Sequence, residues 1–104
     1  MTLNVYKAST SFPRGEIYGL TSQMRRASVS IASNIAEGCG RGSDAEMAHF
    51  MSIATGSASE LQCQILLAGD LGFLDGATCA ELEAQVIEVK KMASAFMNRL
   101  KAQR

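Results

Sequence analysis

The sequence has no tryptophan, a single proline, two tyrosines and four phenylalanines, so large aromatic side chains cannot fill its interior. It also lacks the alternating runs of β-branched residues that half-buried strands show. Ala, Met, Leu and Ile are left to build the core, and these residues suit packed helices. A chain of 104 residues is long enough for one modest core. We therefore predict an all-α protein with a single domain, residues 1–104.

Membrane and disulfide signals are missing as well. No apolar run approaches the ~20 residues of a membrane-spanning helix, and residues 1–7 do not show the basic-then-apolar pattern of a secretion signal. Cys39, Cys63 and Cys79 are odd in number and contain no C-x-x-C pair, which favours reduced thiols in a cytosol. His49 is the only histidine, and no cysteine lies at ligand spacing from it. These absences predict a cytoplasmic protein with no metal site.

Basic residues are missing from the middle of the chain. The net charge is zero, which argues against strong non-specific binding to nucleic acid. Residues 1–43 carry +3, residues 44–89 carry −8 with no lysine or arginine, and residues 90–104 carry +5. The candidates for contact with nucleic acid or another anion are Arg41, Lys90, Lys91, Arg99, Lys101 and Arg104. The alternative role of the last five is a solvated helix end, favoured by the negative pole of the helix dipole.

Apolar residues recur three or four positions apart in four stretches, which predicts four helices. The first is short, over about residues 1–10. The second runs from about residue 13 to 37, the third from 44 to about 70, and the fourth from 75 or 78 to about 100. Short links between long helices force them to alternate in direction. The pattern predicts an antiparallel up-down four-helix bundle with a shortened first helix.

Particular residues are expected to end or begin these helices. Gly38 should stop the second helix in the left-handed conformation that glycine tolerates, and Gly72 should end the third. Ser43 and Glu46 have the spacing of a capping box at the start of the third helix. The buried stripe of the second helix is expected to contain Ile17, Leu20, Met24, Ala27, Ile31 and Ile35.

A polar row runs beside the apolar stripe of the second helix. Serine and asparagine are poor helix formers, so their presence there indicates hydrogen bonds across a helix–helix contact. Aligning the second and third helices antiparallel puts Arg26 opposite Gly56 and within reach of Glu60, and we expect these two charges to pair. The residues of this structural motif are Arg26, Ser30, Asn34, Glu37, Gly38, Gly56, Ser57 and Glu60.

The second half of the third helix is apolar on nearly every side. A helix of this kind is buried on every side, and a bundle this small cannot enclose it. We therefore expect an oligomer whose subunit interface contains Cys63, Leu66 and Leu67.

No motif in the chain places a nucleophile, a base and an orienting group together, so we predict no catalytic residues and no enzymatic activity. The glycine-rich segment 38–43 lacks the Gly-Lys-Ser/Thr ending of a phosphate loop, and no strand precedes it. We expect it to be a turn between helices. The alternative is a phosphate contact through Arg41.

Several motifs together resemble a known family. They lie at residues 12–13 and 16, 19–27 (GLTSQMRRA), 30–31, 34–38 (NIAEG), 40–41, 53–57 and 60–61. With them the chain resembles the bacterial 23S rRNA intervening-sequence proteins over about residues 5–100, and it is similar to the accessory variability determinants of diversity-generating retroelements. The resemblance implies an antiparallel four-helix bundle that assembles into a homopentameric ring, with no enzyme activity and no cofactor. The partners that it implies are RNA or DNA and a reverse transcriptase.

The chain departs from the family pattern in its first helix and in its charge. Residues 5–10 match only the end of the long first helix of family members. We expect the coding sequence to begin upstream of Met1; the alternative is that a neighbouring subunit fills the groove. The retroelement relatives are strongly basic, whereas this chain is neutral.

Two functions follow from these observations. The first is a non-enzymatic oligomeric scaffold that binds a macromolecular partner, with nucleic acid held at a basic end of the ring. The alternative is a protein–protein interaction module with no nucleic-acid binding. Salt-dependent binding of RNA or DNA distinguishes the two.

Overall fold

The structure is a computed structural model that describes residues 1–102, and helices make up most of that part of the chain. The α-helices are α1 (Thr2–Ser9), α2 (Leu20–Cys39), α3 (Asp44–Asp70) and α4 (Gly76–Ala102), and a 3₁₀ helix spans Arg14–Glu16. α2, α3 and α4 pack side by side in alternating directions, and α1 lies against α2 and α4. This arrangement confirms the predicted all-α bundle and its short first helix. Arg104, one of the predicted anion contacts, lies outside the described residues.

Apolar side chains from all four α-helices meet in one core. Val5 of α1, Met24 of α2, Leu61 of α3 and Val86 of α4 are fully buried. Burying a side chain of this size stabilises a fold by about 1.5–3 kcal/mol relative to leaving it exposed. The spacing of these residues therefore decides which face of each helix turns inward. No helix among the described residues is long and apolar enough to cross a membrane.

α2 begins later than the sequence predicts. Instead of one helix from residue 13, the chain forms the 3₁₀ helix and then breaks at Gly19, whose φ and ψ are −110° and −115°. The Glu16 carboxylate accepts a 3.1 Å hydrogen bond from the Leu20 N–H, which would otherwise have no partner in the first turn of α2. Because Ile17 precedes this break, it is 51% exposed and is not part of the buried stripe.

Gly38 does not end α2 in the left-handed conformation, so that prediction is wrong. α2 continues to Cys39, and the capping residue Gly40 has a right-handed backbone with φ of −88°. Gly38 is instead buried against α3, where a Cβ atom would lie 3.1 Å from Phe50 Cβ and 3.1 Å from Met51 Cε. Its missing side chain allows the two helices to approach closely.

The end of α3 follows the prediction. Gly72 has a φ of 78°, the one positive φ among residues 1–102. The Gly72 N–H donates to the Gly69 carbonyl at 3.1 Å, and the Phe73 N–H donates to the Ala68 carbonyl at 2.9 Å. These two bonds satisfy carbonyls that the helix end leaves without partners.

Side chains cap the starts of α3 and α4. Ser43 Oγ accepts a 3.2 Å hydrogen bond from the Glu46 N–H, as predicted, and the Ser43 hydroxyl donates to Glu46 Oε1 at 3.2 Å. Asp75, one of the two predicted caps of α4, accepts a 2.7 Å hydrogen bond from the Thr78 N–H. This backbone bond is the main reason that the pKa of the Asp75 carboxyl lies below its ordinary value.

α1 covers only part of the space between α2 and α4. Its 8 residues extend about 12 Å along the bundle, whereas the 20 residues of α2 extend about 30 Å. Beyond α1 lies an apolar cleft of about 220 Å³, lined by side chains of α2, α3 and α4. Met92, which is 59% exposed, borders this cleft. The groove expected beside a short first helix is therefore present.

Candidate functional site

One residue of the predicted polar row, Ser30, joins α2 to α3. Ser30 Oγ and Ser57 Oγ lie 2.9 Å apart. The Asn34 amide donates to the Ser30 carbonyl at 2.8 Å and to Ser30 Oγ at 3.1 Å. These half-buried groups have partners and so avoid the cost of an unsatisfied polar group. The contact between Ser30 and Ser57 also sets which residues of α2 and α3 lie at the same height.

The expected pair of Arg26 and Glu60 is not formed. Both side chains are exposed, and no ion pair within 4 Å joins them in the described part of the chain. Glu60 instead accepts a 3.2 Å hydrogen bond from Gln64 on the same helix. Two exposed, flexible side chains gain little from pairing, because water screens their charges and pairing restricts their rotamers. Gly56, expected to make room for Arg26, borders open space, since a Cβ there would meet nothing within 4 Å.

Arg41, a predicted anion contact, is already paired with carboxylates. Its guanidinium is hydrogen-bonded to Glu37 Oε1 and lies 3.6 Å from Glu46 Oε2. It also lies over the Phe50 ring, 5.1 Å from the centroid. Asp44 begins the next helix, so the turn between α2 and α3 carries more negative than positive charge. Arg41 is therefore poorly suited to hold a phosphate, and this turn does not add to a positive end of the bundle.

The lysines of α4 form a row along its last turns. Positions 90, 94, 98 and 101 share one side of the helix because they are three or four residues apart. Lys90, Lys91, Ser94 and Asn98 line a shallow depression on this side. Lys101 is exposed and continues the row toward the end of the helix. We call these five residues the α4 ridge.

The charges of the α4 ridge are not neutralised by nearby carboxylates. Lys90 Nζ donates to Gln62 Oε1 of α3 at 3.2 Å, and this partner carries no charge. Within residues 1–102, none of the three ridge lysines is in an ion pair. Arg99 lies apart from the ridge, with its guanidinium 5.6 Å from the centroid of the Phe96 ring, which borders the apolar cleft. The ridge therefore presents three lysine charges over a length of about 17 Å.

The predicted subunit interface is exposed in the single chain. Leu66 and Leu67 are 47% and 49% exposed, and Cys63, one turn earlier, is exposed as well. Ile65 in the same turn is fully buried, so α3 does have an inward face here. Adjacent leucines left on the surface of one chain favour contact with another molecule.

A second exposed apolar surface lies where α1 packs on α2, and the sequence patterns do not predict it. Tyr6, Ile17 and Val29 are 40%, 51% and 42% exposed, and together with Arg25 and Arg26 they line a shallow depression. The adjacent arginines are the one signal in the sequence that points there, because arginine and tyrosine are enriched in protein interfaces.

Among the described residues, no group of three or more His, Cys, Asp and Glu side chains is placed to hold a metal ion. His49 is exposed and meets the Phe50 ring edge-on, with centroids 5.4 Å apart. Burial first, and then the charges of Glu83 and Asp70, raise the pKa of the Cys79 thiol. A raised pKa makes this thiol less reactive at neutral pH.

Comparison with known proteins agrees with this geometry. A solved structure of a protein with unknown function from the S23 ribosomal protein family, from Bacteroides thetaiotaomicron VPI-5482, is similar with a TM-score of 0.81. Its sequence is 20% identical, and the match covers 92% of this chain and 87% of that chain, so the likeness shows the fold. No curated protein matches the sequence. The profile of the 23S rRNA-intervening sequence protein family matches residues 1–95, and the chain belongs to this family.

Proposed function

We propose that this protein is a non-enzymatic helical scaffold that assembles with copies of itself and binds the phosphate backbone of a nucleic acid through the α4 ridge. The observation that carries the proposal is the charge at the end of the chain. Residues 90–104 contain five basic residues and no acidic residue. Ser94 and Asn98 lie between the lysines of the ridge, where their side chains can donate hydrogen bonds to phosphate oxygens.

The α4 ridge suits binding of a backbone rather than recognition of bases. Lysine presents a flexible point charge to phosphate. The ridge has no aromatic side chain on which a base can stack, and Phe96 lies on another side of α4, beside the apolar cleft. A length of about 17 Å corresponds to about five base pairs along a duplex.

Assembly compensates for the neutral charge of a single chain. One ridge supplies only three lysine contacts, and a net charge of zero adds no long-range attraction. Several copies in one oligomer raise the effective concentration of each further ridge once the first has bound. We propose a homopentamer, the assembly that the resemblance implies. Because the family is named for the intervening sequences of 23S rRNA, RNA is the first nucleic acid to test.

Fluorescence anisotropy with a short labelled RNA duplex, measured over a series of KCl concentrations, tests the ridge. We expect affinity to fall steeply with salt, because each phosphate contact releases a bound counterion. The variant K90Q/K91Q/K101Q should lower the slope of log K against log [KCl] by about one for each lysine that contacts phosphate. The control K7Q/R14Q removes two exposed cations elsewhere and should leave the slope unchanged. Equal slopes for both variants, or no binding at low salt, would contradict the proposal.

The second candidate function is a protein–protein interaction module with no nucleic-acid binding. It is favoured by the exposed Leu66 and Leu67 and by the neutral charge of the chain. The same titration separates the two, because an oligomer that binds no RNA or DNA at any salt concentration fits only the second.

A further inference from the structure

Two exposed surfaces of the bundle are complementary in charge. The first lies where α1 and the 3₁₀ helix pack on α2; we call it the arginine surface, and it consists of Tyr6, Ile17, Arg25, Arg26 and Val29. The second is the outer side of α3; we call it the leucine surface, and it consists of Glu60, Cys63, Leu66, Leu67, Asp70 and Leu71. Each surface combines exposed apolar side chains with charges of a single sign.

The arginine surface is concave, and one of its arginines is held in place. Arg25 Nε donates to Ser9 Oγ at 2.9 Å, Arg25 Nη2 donates to the Tyr6 carbonyl at 3.3 Å, and the guanidinium lies 4.7 Å from the centroid of the Tyr6 ring. Arg26 is exposed and has no ion-pair partner within residues 1–102. The apolar members of the surface are 40–51% exposed. Arginine and tyrosine beside exposed aliphatic groups are typical of the energetically important part of a protein interface.

The leucine surface carries only negative charge. α3 contains no lysine or arginine along its length, and Glu60 and Asp70 are exposed near the two ends of the surface. Between and beside them the three leucines are 47–51% exposed. Spacings of three and four residues put these side chains on one side of the helix.

The arginine surface and the leucine surface lie at the same height on the bundle. The 2.9 Å contact between Ser30 and Ser57 aligns α2 with α3. Both helices rise by about 1.5 Å per residue in opposite directions, so residue 26 is level with about residue 61, and residue 20 with about residue 67. The surfaces face different directions, because α1 contacts α2 and α4 but not α3 among the described elements.

We propose that the arginine surface of one copy docks on the leucine surface of the next copy, with Arg26 facing Glu60 and the apolar groups covering Leu66 and Leu67. This contact rests on the proposed self-assembly and specifies how it occurs. Docking of two identical surfaces is disfavoured, because it places like charges opposite each other. A contact between two different surfaces at equal height instead relates each copy to the next by a rotation about an axis parallel to the helices. The copies form a closed ring when a whole number of these rotations completes a full turn.

Mixing two half-disabled variants tests this contact. Arg26→Gln with Val29→Gln leaves only the leucine surface intact, and Glu60→Lys with Leu67→Lys leaves only the arginine surface intact; the two disabled surfaces then carry no opposite charges that could pair. By size-exclusion chromatography with light scattering, each variant alone should have the mass of one subunit. An equimolar mixture should form a 1:1 dimer, because the two copies share one intact contact and the dimer cannot grow.

Matched controls separate loss of the contact from loss of the fold. Lys7→Glu with Leu3→Asp also changes a charge and replaces an exposed aliphatic residue, but at positions that belong to neither surface, and should keep the wild-type mass. Circular dichroism melting should show that every variant is folded, since all the substituted side chains are exposed. In a single chain, Arg26→Glu with Glu60→Arg should restore the assembly that either reversal alone weakens.

The possible outcomes distinguish this contact from self-assembly in general. If the wild type assembles but the mixture remains monomeric, or if either double variant keeps the wild-type mass, the proposed contact is wrong and self-assembly stands. If the wild type is a monomer at every concentration, self-assembly is wrong as well.

Discussion

The contacts that α2 makes with α3 and with α1 hold the bundle together in different ways. The α2–α3 contact extends from the hydrogen-bonded serines to Gly38, whose missing side chain allows the two helices to approach closely. α1 is held by the buried Val5 and by the polar bonds of Arg25. A helix of 8 residues is not stable alone, so it depends on these few interactions. The α2–α3 contact should therefore be sensitive to added volume, and the α1–α2 contact to lost hydrogen bonds.

The largest effect is expected from adding volume at Gly38. In Gly38→Val, the new side chain meets Phe50 Cβ and Met51 Cε, each 3.1 Å from the position of a Cβ atom. Forcing two packed helices apart should lower the free energy of unfolding by about 2–3 kcal/mol. Urea denaturation at a fixed protein concentration measures this change.

The same substitution at Gly56 provides the control. A Cβ at Gly56 meets nothing within 4 Å, and Gly56 lies inside α3. Since valine is slightly better than glycine in a helix, Gly56→Val should change stability by less than about 0.5 kcal/mol. Similar losses at both positions would mean that the close approach at Gly38 does not matter.

A smaller and more local effect is expected from removing the bonds that hold α1. Arg25→Met keeps an unbranched apolar side chain but removes the hydrogen bonds to Ser9 and Tyr6 and the contact with the Tyr6 ring. We expect a loss of about 1–2 kcal/mol. Hydrogen–deuterium exchange should show faster exchange of the α1 amides, with little change in α3.

The neighbouring arginine is a matched control for this prediction. Arg26→Met removes the same charge from an exposed side chain that has no ion pair within the described residues. Measured, like Arg25→Met, in the Glu60→Lys with Leu67→Lys background, where Arg26 has no subunit contact to lose, its effect on stability should stay within about 0.5 kcal/mol. Equal exchange rates of the α1 amides in both variants would show that Arg25 does not hold α1.

Helix periodicity predicts most of this fold, because burying apolar stripes decides both where helices form and which face turns inward. Helix periodicity does not predict the role of Gly38. A glycine near a helix end serves either as a left-handed cap or as a point of close approach, and the surrounding sequence is compatible with both. The start of α2 is also predicted too early, since Ile17 continues the apolar spacing although the backbone breaks at Gly19.

The candidate site is harder to predict, because long charged side chains choose among several partners. Spacing alone places the lysines of the α4 ridge on one side of their helix. It does not show that Arg41 pairs with Glu37 of α2 and Glu46 of α3, which lie on either side of the turn that contains Arg41. Nor does equal height decide whether Arg26 and Glu60 meet, since both remain solvated on the surface.

The smallest expected effect is a dependence of stability on pH, through the Asp75 cap at the start of α4. The bond from the Thr78 N–H lowers the folded-state pKa of the Asp75 carboxyl. Its contribution to stability is therefore complete above the unfolded-state pKa, at about pH 4, and is lost as the pH falls through the lower folded-state value. The first turn of α4 borders α1 at Thr78 and contacts α3 at Cys79, so loosening it should speed amide exchange on both sides. Asp75→Asn keeps an N-cap that does not titrate in this range. The difference in stability between the wild type and this variant should shrink below about pH 4, and a difference that is constant with pH would show that the Asp75 carboxylate has no such role.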